Sequence, residues 1–277
     1  MKMKIKKTFF AISIVALIIL SSHIISEYGA YFISKEKQID IEKIISDGIT
    51  DEEYMILKKQ TGLSKSAVCD IMQTNNPLAE LRDFQKQNFS EYNVDCNYLF
   101  FPVTKAETLN DENGKAVKLK LPPLKTGDIL ITKSTHTLFF RHGHAALLTN
   151  ADEAETLEAM MIGMNSDYGT IAGWRRYSSL AVLRPKNLSD NEIEKVVNYA
   201  REKLYDVKYD LLSGVFNKTK NETEEILKTH CSHLVWSAYK SQGVDIDSDG
   251  GVLILPQDLL KSEKLEVIWS YGINLTK

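Results

Sequence analysis

A cysteine stands where an amphipathic helix has to begin. In Thr229-His230-Cys231-Ser232-His233-Leu234-Val235-Trp236, the apolar residues Leu234, Val235, Ala238 and Tyr239 follow Cys231 at the i+3, i+4, i+7 and i+8 spacing of a buried helix face. Gly243 supplies a stop. Packing that stripe on a core fixes the thiol in the first turn, beside unpaired backbone N–H groups and the positive end of the helix dipole, both of which favour thiolate over thiol. Free cysteines are more often inert core residues, so reactivity here requires a base from elsewhere in the chain.

Arg141-His142-Gly143-His144-Ala145-Ala146-Leu147-Leu148-Thr149 reads as a strand entered through a glycine. Thr156-Leu157-Glu158-Ala159-Met160 reads as a second strand, with the turn-prone residues Asn150 to Glu153 between the two. A hairpin centred near Ala151 or Asp152 puts His144 and Glu158 opposite each other or one diagonal step apart on one sheet face. A carboxylate on one imidazole nitrogen sets the tautomer and leaves the other nitrogen for a thiol, which is the logic of a nucleophilic triad. Further strands are predicted at Ile129–Thr132, Leu180–Leu183 and Glu266–Trp269, and Val252–Leu255 reads as extended chain. Ser189 and Glu192 form a capping box for a helix whose inner face is Ile193, Val196, Val197, Ala200 and Leu204. Strands in a run, then helices and a closing strand, make the fold class α+β.

The ordered set Gly127-Asp128-Ile129-Leu130, Gly143-His144-Ala145-Ala146, Leu157-Glu158-Ala159, Ala181-Val182-Leu183-Arg184-Pro185, Tyr209-Asp210 and Cys231-Ser232-His233-Leu234-Val235 resembles the permuted papain-like amidases of the YaeF/YiiX group. These belong to the NlpC-type cell-wall peptidase superfamily. Their papain-like core is circularly permuted, so the catalytic His precedes the catalytic Cys, the order found here. The resemblance covers the chain from Leu121 to its end and implies a cysteine amidase or endopeptidase. It assigns Cys231 as nucleophile, His144 as base and Glu158 as the third polar residue, and makes Tyr209 a tyrosine lining the substrate side, with Tyr205 competing for that place. His233 is a departure, because many relatives carry a carboxylate or another residue two positions after the cysteine. The chemistry needs no cofactor and no metal. The implied substrate is a peptide amide bond of peptidoglycan; acyl transfer and lipid-amide hydrolysis are alternatives on the same fold.

The start of the chain sets the expected compartment. A basic stretch, Met1 to Lys7, precedes nearly unbroken apolar sequence from Phe9 to Ile25, which reads as an export signal. Its length allows a cleaved signal peptide or a retained membrane anchor, and the lack of a clean small-x-small site favours the anchor. The flanking lysines place everything after Tyr31 outside the cell. Residues 31–120 read as a helical accessory region, with a cap at Thr50 and a glycine turn at Gly62 before a third helix, and Asn113-Gly114 as a hairpin turn or linker. The expected division is therefore 1–30 signal or anchor, 31–120 accessory region and 121–277 catalytic part. A net charge of −3 over 277 residues gives no attraction to nucleic acid. Outside the cell Cys69 and Cys96 are free to pair and leave Cys231 alone, or all three stay reduced. Two readings of other classes remain open: a metal cluster of His142, His144, His230, His233 and Cys231, and a catalytically silent wall-binding protein using the same cleft.

Overall fold

The computed structural model describes residues 31–45, 49–99, 104–137, 140–213 and 226–275, with Ser13, Ile14, Ala16, Leu17, Leu20 and Ser21. Most of the apolar N-terminal segment, and most of the charged stretch from Lys218 to Lys228, lie outside the described residues. Among the described residues no helix is long and apolar enough to cross a membrane.

The first half holds helices α1 (Glu42–Ile45), α2 (Asp51–Thr61), α3 (Lys65–Ile71) and α4 (Pro77–Phe89), then strands β1 (Asn93–Tyr98) and β2 (Thr104–Asn110). Local chemistry sets these boundaries. Thr50 and Glu53 close a capping box on α2, left-handed Gly62 ends it, and the Ser64 hydroxyl caps α3. Asn76 caps α4, with a proline in its first turn. The expectation of a helical region up to residue 120 therefore fails at β1 and β2. No residue of β1 is buried, so no alternating apolar pattern marks it; pairing with β2 in antiparallel register makes it a strand. After β2, Gly114 forms the expected turn, with the Asp111 N–H on the Lys115 carbonyl at 2.9 Å.

The second half runs β3 (Ile129–Thr132), β4 (Thr135–Thr137), β5 (Phe140–Arg141), β6 (His144–Asn150), β7 (Glu155–Glu158), β8 (Asp167–Thr170), α5 (Ile171–Trp174), β9 (Leu180–Pro185) and α6 (Asp190–Lys203). It closes with β10 (Lys208–Tyr209), β11 (Lys228–Thr229), α7 (Cys231–Lys240), α8 (Pro256–Leu260) and β12 (Leu265–Tyr271). Val252 to Leu255, expected to be extended, bends instead into α8, whose first residue is Pro256. A six-stranded sheet in the order β12-β9-β3-β6-β7-β8 is the frame, and a four-stranded sheet, β1-β2-β4-β5, joins the two halves through β2 and β4.

Strand alternation gives the large sheet two buried faces. Ile129, Ile131, Ala145, Leu147, Leu157, Ala181 and Leu183 pack with Val196, Ala200, Leu234, Val235 and Ala238 of α6 and α7. Their neighbours Leu130, Ala146, Leu148, Leu180 and Val182 pack with Leu57, Val68, Ile71, Leu81 and Phe84 of α2, α3 and α4. A sheet covered on both sides reads as continuous apolar strands, which is why β3 and most of β6 are buried residue after residue.

Candidate functional site

The site starts with a glycine. Gly143 adopts φ +71°, and a Cβ there would sit 2.6 Å from the Thr132 carbonyl oxygen, so only glycine admits the chain to β6 at this point. His144 follows as the first residue of β6, opposite Thr132. In the next pairing, Leu147 faces Leu157 and Leu148 faces Thr156. That register leaves His144 and Glu158 one diagonal step apart on one face, as the hairpin reading expects.

The two side chains meet: His144 Nε2 and Glu158 Oε2 are 2.7 Å apart, and both residues are buried. The second carboxylate oxygen, Oε1, accepts from the Thr156 hydroxyl at 3.1 Å and the Trp174 indole N–H at 3.4 Å. The Trp174 ring also stacks on the His144 imidazole, with centroids 5.1 Å apart and planes 15° from parallel. Glu158 is thus held from both ends, and His144 is clamped between its carboxylate and an indole face. With Nε2 donating to Glu158, Nδ1 is the nitrogen left to take a proton.

Cys231 opens α7 from the other side of the sheet; its sulfur lies 3.9 Å from the Ser232 hydroxyl, and His144 and His230 are the neighbouring groups that act on its charge. Burial opposes the charged thiolate, but the influence of His144 and then His230 prevails and holds the thiol well below its usual pKa. His144 moves the opposite way. Burial opposes its protonation, and the neighbouring Cys231 together with the hydrogen-bonded Glu158 outweigh that and raise it above the ordinary imidazole value. Opposed shifts on a thiol and an imidazole that act on each other favour the thiolate–imidazolium pair. As the first residue of α7, Cys231 also carries a backbone N–H with no acceptor inside the helix.

The parallel pairing of Tyr209 with Thr229 brings Tyr209 beside the start of α7. It is half-buried, and its hydroxyl pKa is raised by burial and then by the nearby Cys231. Tyr205, its competitor, is exposed and stacks on Tyr168 with centroids 5.0 Å apart. Sequence reasoning missed Thr156 and Trp174, because the partner that gives each a role, Glu158, is fixed only by the fold. It also missed Gly169, where a Cβ would lie 2.2 Å from Glu158 Oε1 and 2.9 Å from the Thr156 hydroxyl. Since a flexible carboxylate can yield where backbone cannot, Gly169→Ala is expected to leave the fold intact while pushing Glu158 off His144. Alkylation of Cys231 at pH 6 should slow severalfold with the melting temperature changed by no more than a few degrees.

The metal reading brings together residues that the fold keeps in other roles. His142 contacts the Gly143 carbonyl through Nδ1 at 2.7 Å and the Thr137 hydroxyl through Nε2 at 3.0 Å, occupying both nitrogens. His233 contacts the Thr229 hydroxyl through Nδ1 at 3.0 Å, and burial, with His230 nearby, pushes its pKa down to about 3. Among the described residues, only Asp247, Asp249 and Asp258 bring three such ligand atoms within 4.8 Å of one another. Cys69 contacts the Tyr54 hydroxyl at 3.3 Å and Cys96 the His136 ring at 3.4 Å, so those two thiols are free of each other.

No family model matches the chain. It is similar to the uncharacterized protein YycO of Bacillus subtilis (strain 168), with 26% identity over 165 residues. That match covers 58% of this chain and 62% of YycO, so the chain spans less than two thirds of its relative's length. Among solved structures it is similar to that of metalloprotein YiiX from Escherichia coli O157:H7, with a TM-score of 0.39 and 15% identity, over 55% of this chain and 98% of YiiX.

Proposed function

We propose that this chain is an exported cysteine amidase or peptidase that cleaves an amide bond in cell-wall peptides, on a circularly permuted papain-like core formed by residues 121–277. The observation that carries the reading is the buried hydrogen bond by which Glu158 holds one nitrogen of His144, with Cys231 at the start of α7 as the thiol that the imidazole depresses. In this reading the Cys231 thiolate attacks the amide carbonyl, and the backbone N–H of Cys231 receives the developing oxyanion. The His144 imidazolium gives its proton to the leaving amine, and the acyl group rests as a thioester on Cys231. Water, activated by the now neutral His144, then releases the acid and regenerates the thiol. Tyr209 flanks the substrate. Residues 31–120 support the sheet from its far side, and the N-terminal apolar segment carries the protein to the outer face of the membrane.

Purified protein is expected to cleave muropeptides, and iodoacetamide on Cys231 to abolish the cleavage. A product in which the acyl group passes to an acceptor other than water identifies a transferase on the same site. Absence of any Cys231-dependent turnover on peptide or lipid amides would count for a silent wall-binding protein. Protease treatment of intact cells should degrade the part after Tyr31, whereas protection together with an intact cytoplasmic control rules out export.

A further inference from the structure

The chain enters its folded body at the rim of a cleft. Tyr31 is the first described residue after the apolar segment, and its hydroxyl meets that of Tyr271 at 2.8 Å and the Tyr92 N–H at 3.3 Å. The Phe32 N–H donates to the Gly272 carbonyl at 3.0 Å, which fastens the entry point to the end of β12. From Ile25, the last residue of the apolar segment, to Tyr31 is six residue steps, a reach of no more than about 20 Å. With that segment in a bilayer, the rim stays at the membrane surface.

Phe32, Lys35, Glu36, Lys58, Lys59 and Leu275 line the cleft, whose volume is about 550 Å³. Three lysines thus oppose one glutamate, in a chain whose net charge is −3. Lys59 lies 3.6 Å from Glu36, and among the described residues Lys35 and Lys58 have no ion-pair partner. Lys58 and Lys59 suit the C-terminal end of α2 in any case, but Lys35 belongs to no helix and has no such reason. Phe32 and Leu275 are 36% and 39% exposed beside these ammonium groups. Apolar side chains next to cations suit the boundary between headgroups and acyl chains.

We propose that this cleft binds the phosphate headgroup of an anionic phospholipid in the membrane that the N-terminal segment enters. This rests on the reading of that segment as a membrane anchor. Lys35, Lys58 and Lys59 take the phosphate, and Phe32 and Leu275 border the acyl chains. Sheet register carries the consequence to the catalytic residues. Ser270, also on the cleft, pairs with Ala181, Ala181 with Ile131, and Ile131 with Ala145, the residue after His144. Three strand spacings of roughly 4.8 Å put His144 about 14 Å along the sheet from the cleft. Headgroup binding therefore holds the end of the sheet that carries His144 against the membrane, which selects amide substrates lying next to the bilayer.

The test uses the full chain in vesicles of phosphatidylcholine alone or with about 30% phosphatidylglycerol, acetylated by an amine-reactive ester and read lysine by lysine by mass spectrometry. Labelling of Lys35, Lys58 and Lys59 is expected to slow about fivefold or more on the anionic vesicles. Lys195 and Lys203 of α6, on the opposite face of the sheet, should change by less than about twofold. Lys58→Gln with Lys59→Gln should then restore most of the labelling of Lys35, because a headgroup shared by three lysines is lost as a unit. Lys35 still protected in that variant would reveal a general surface potential and overturn the site, as would equal labelling on the two kinds of vesicle. Equal protection on neutral vesicles by inorganic phosphate would make the ligand a soluble anion and overturn the lipid. If the chain floats with neither vesicle, the anchor reading falls, and this inference with it.

Discussion

His144→Ala is expected to cost about two to four orders of magnitude in amide cleavage, the range for removal of a positioned general acid–base, and to change how Cys231 alkylates with pH. An unperturbed thiol with a pKa of about 8.5 is roughly 0.3% thiolate at pH 6. The depressed thiol of Cys231 is far more ionised there, but a thiolate loses nucleophilicity as its pKa falls, with a Brønsted slope of about 0.4–0.5. The two effects partly cancel, so the expected loss at pH 6 is only about tenfold; it should vanish near pH 7 and reverse above that, where the variant's more basic thiolate is the better nucleophile. The profile is therefore more diagnostic than any single rate. With His144 the alkylation rate is flat from pH 6 to 8; without it, the rate climbs about tenfold per pH unit to a plateau above pH 8.5.

The sign follows from the two shifts. Below the lowered Cys231 pKa the thiolate takes a proton and attack fails; above the raised His144 pKa the imidazolium loses the proton destined for the leaving amine. Activity should thus occupy the window between them. Glu158→Gln should slow alkylation less than His144→Ala, because the carboxylate orients the imidazole and does not itself take the proton. A flat profile retained by His144→Ala would mean that another group depresses the thiol and that His144 is not the base.

Much of this array is legible in the sequence. The hairpin carrying His144 and Glu158 is local: two apolar runs and a short turn determine which residues face one another, within one diagonal step. The cysteine helix is equally local, since its apolar stripe fixes which end meets the sheet. The rest depends on partners far apart in the chain. Trp174 stacks on His144 from a four-residue helix with no side-chain cap, and Gly169 is needed only because Glu158 Oε1 lies against it. In the sequence His230 is one of the four histidines of the possible metal cluster, which would make His142→Ala and His230→Ala as damaging as His144→Ala, whereas the cysteine-hydrolase reading expects both to be mild. The geometry separates those two residues, since His142 has both nitrogens engaged by Gly143 and Thr137 while His230 caps α7 through Nδ1.

A charged pair explains two motif segments whose physical reason the sequence leaves unstated, Gly127-Asp128-Ile129-Leu130 and Ala181-Val182-Leu183-Arg184-Pro185. The Arg184 guanidinium grips Asp128 through two hydrogen bonds, Nε at 2.8 Å and a terminal nitrogen at 2.7 Å, and reaches Asp70 of α3 at 2.8 Å through its other terminal nitrogen. The Asp128 side chain is 1% exposed and that of Arg184 13%. One side chain of the central sheet therefore ties a neighbouring strand entrance and an accessory helix together. Burial alone would raise the Asp128 carboxyl further; the guanidinium pulls it back down but leaves it above the ordinary value.

Arg184→Met should consequently destabilise the protein by about 3–5 kcal/mol, the cost of leaving a buried charge without its partner. Asp128 then evades part of that cost by binding a proton, so the sign of the pH dependence is fixed. In the folded variant the carboxyl pKa lies well above its unfolded value, folding takes up a proton above that unfolded value, and the deficit grows as pH rises from about 4 towards 7. Denaturant midpoints at the two pH values measure it. Adding Asp128→Leu should recover most of the loss, since an ion pair replaced on both sides by apolar groups is often neutral. Asp70→Asn should cost much less, because Asp70 is more exposed than Asp128 and its charge is shared with Lys125 at 3.0 Å. Hydrogen exchange in α2 to α4 gives the decisive reading: if Arg184→Met loosens these helices before the central sheet, the guanidinium is what couples the accessory region to the strands that carry His144 and Glu158. Uniform loosening would assign it to the sheet alone.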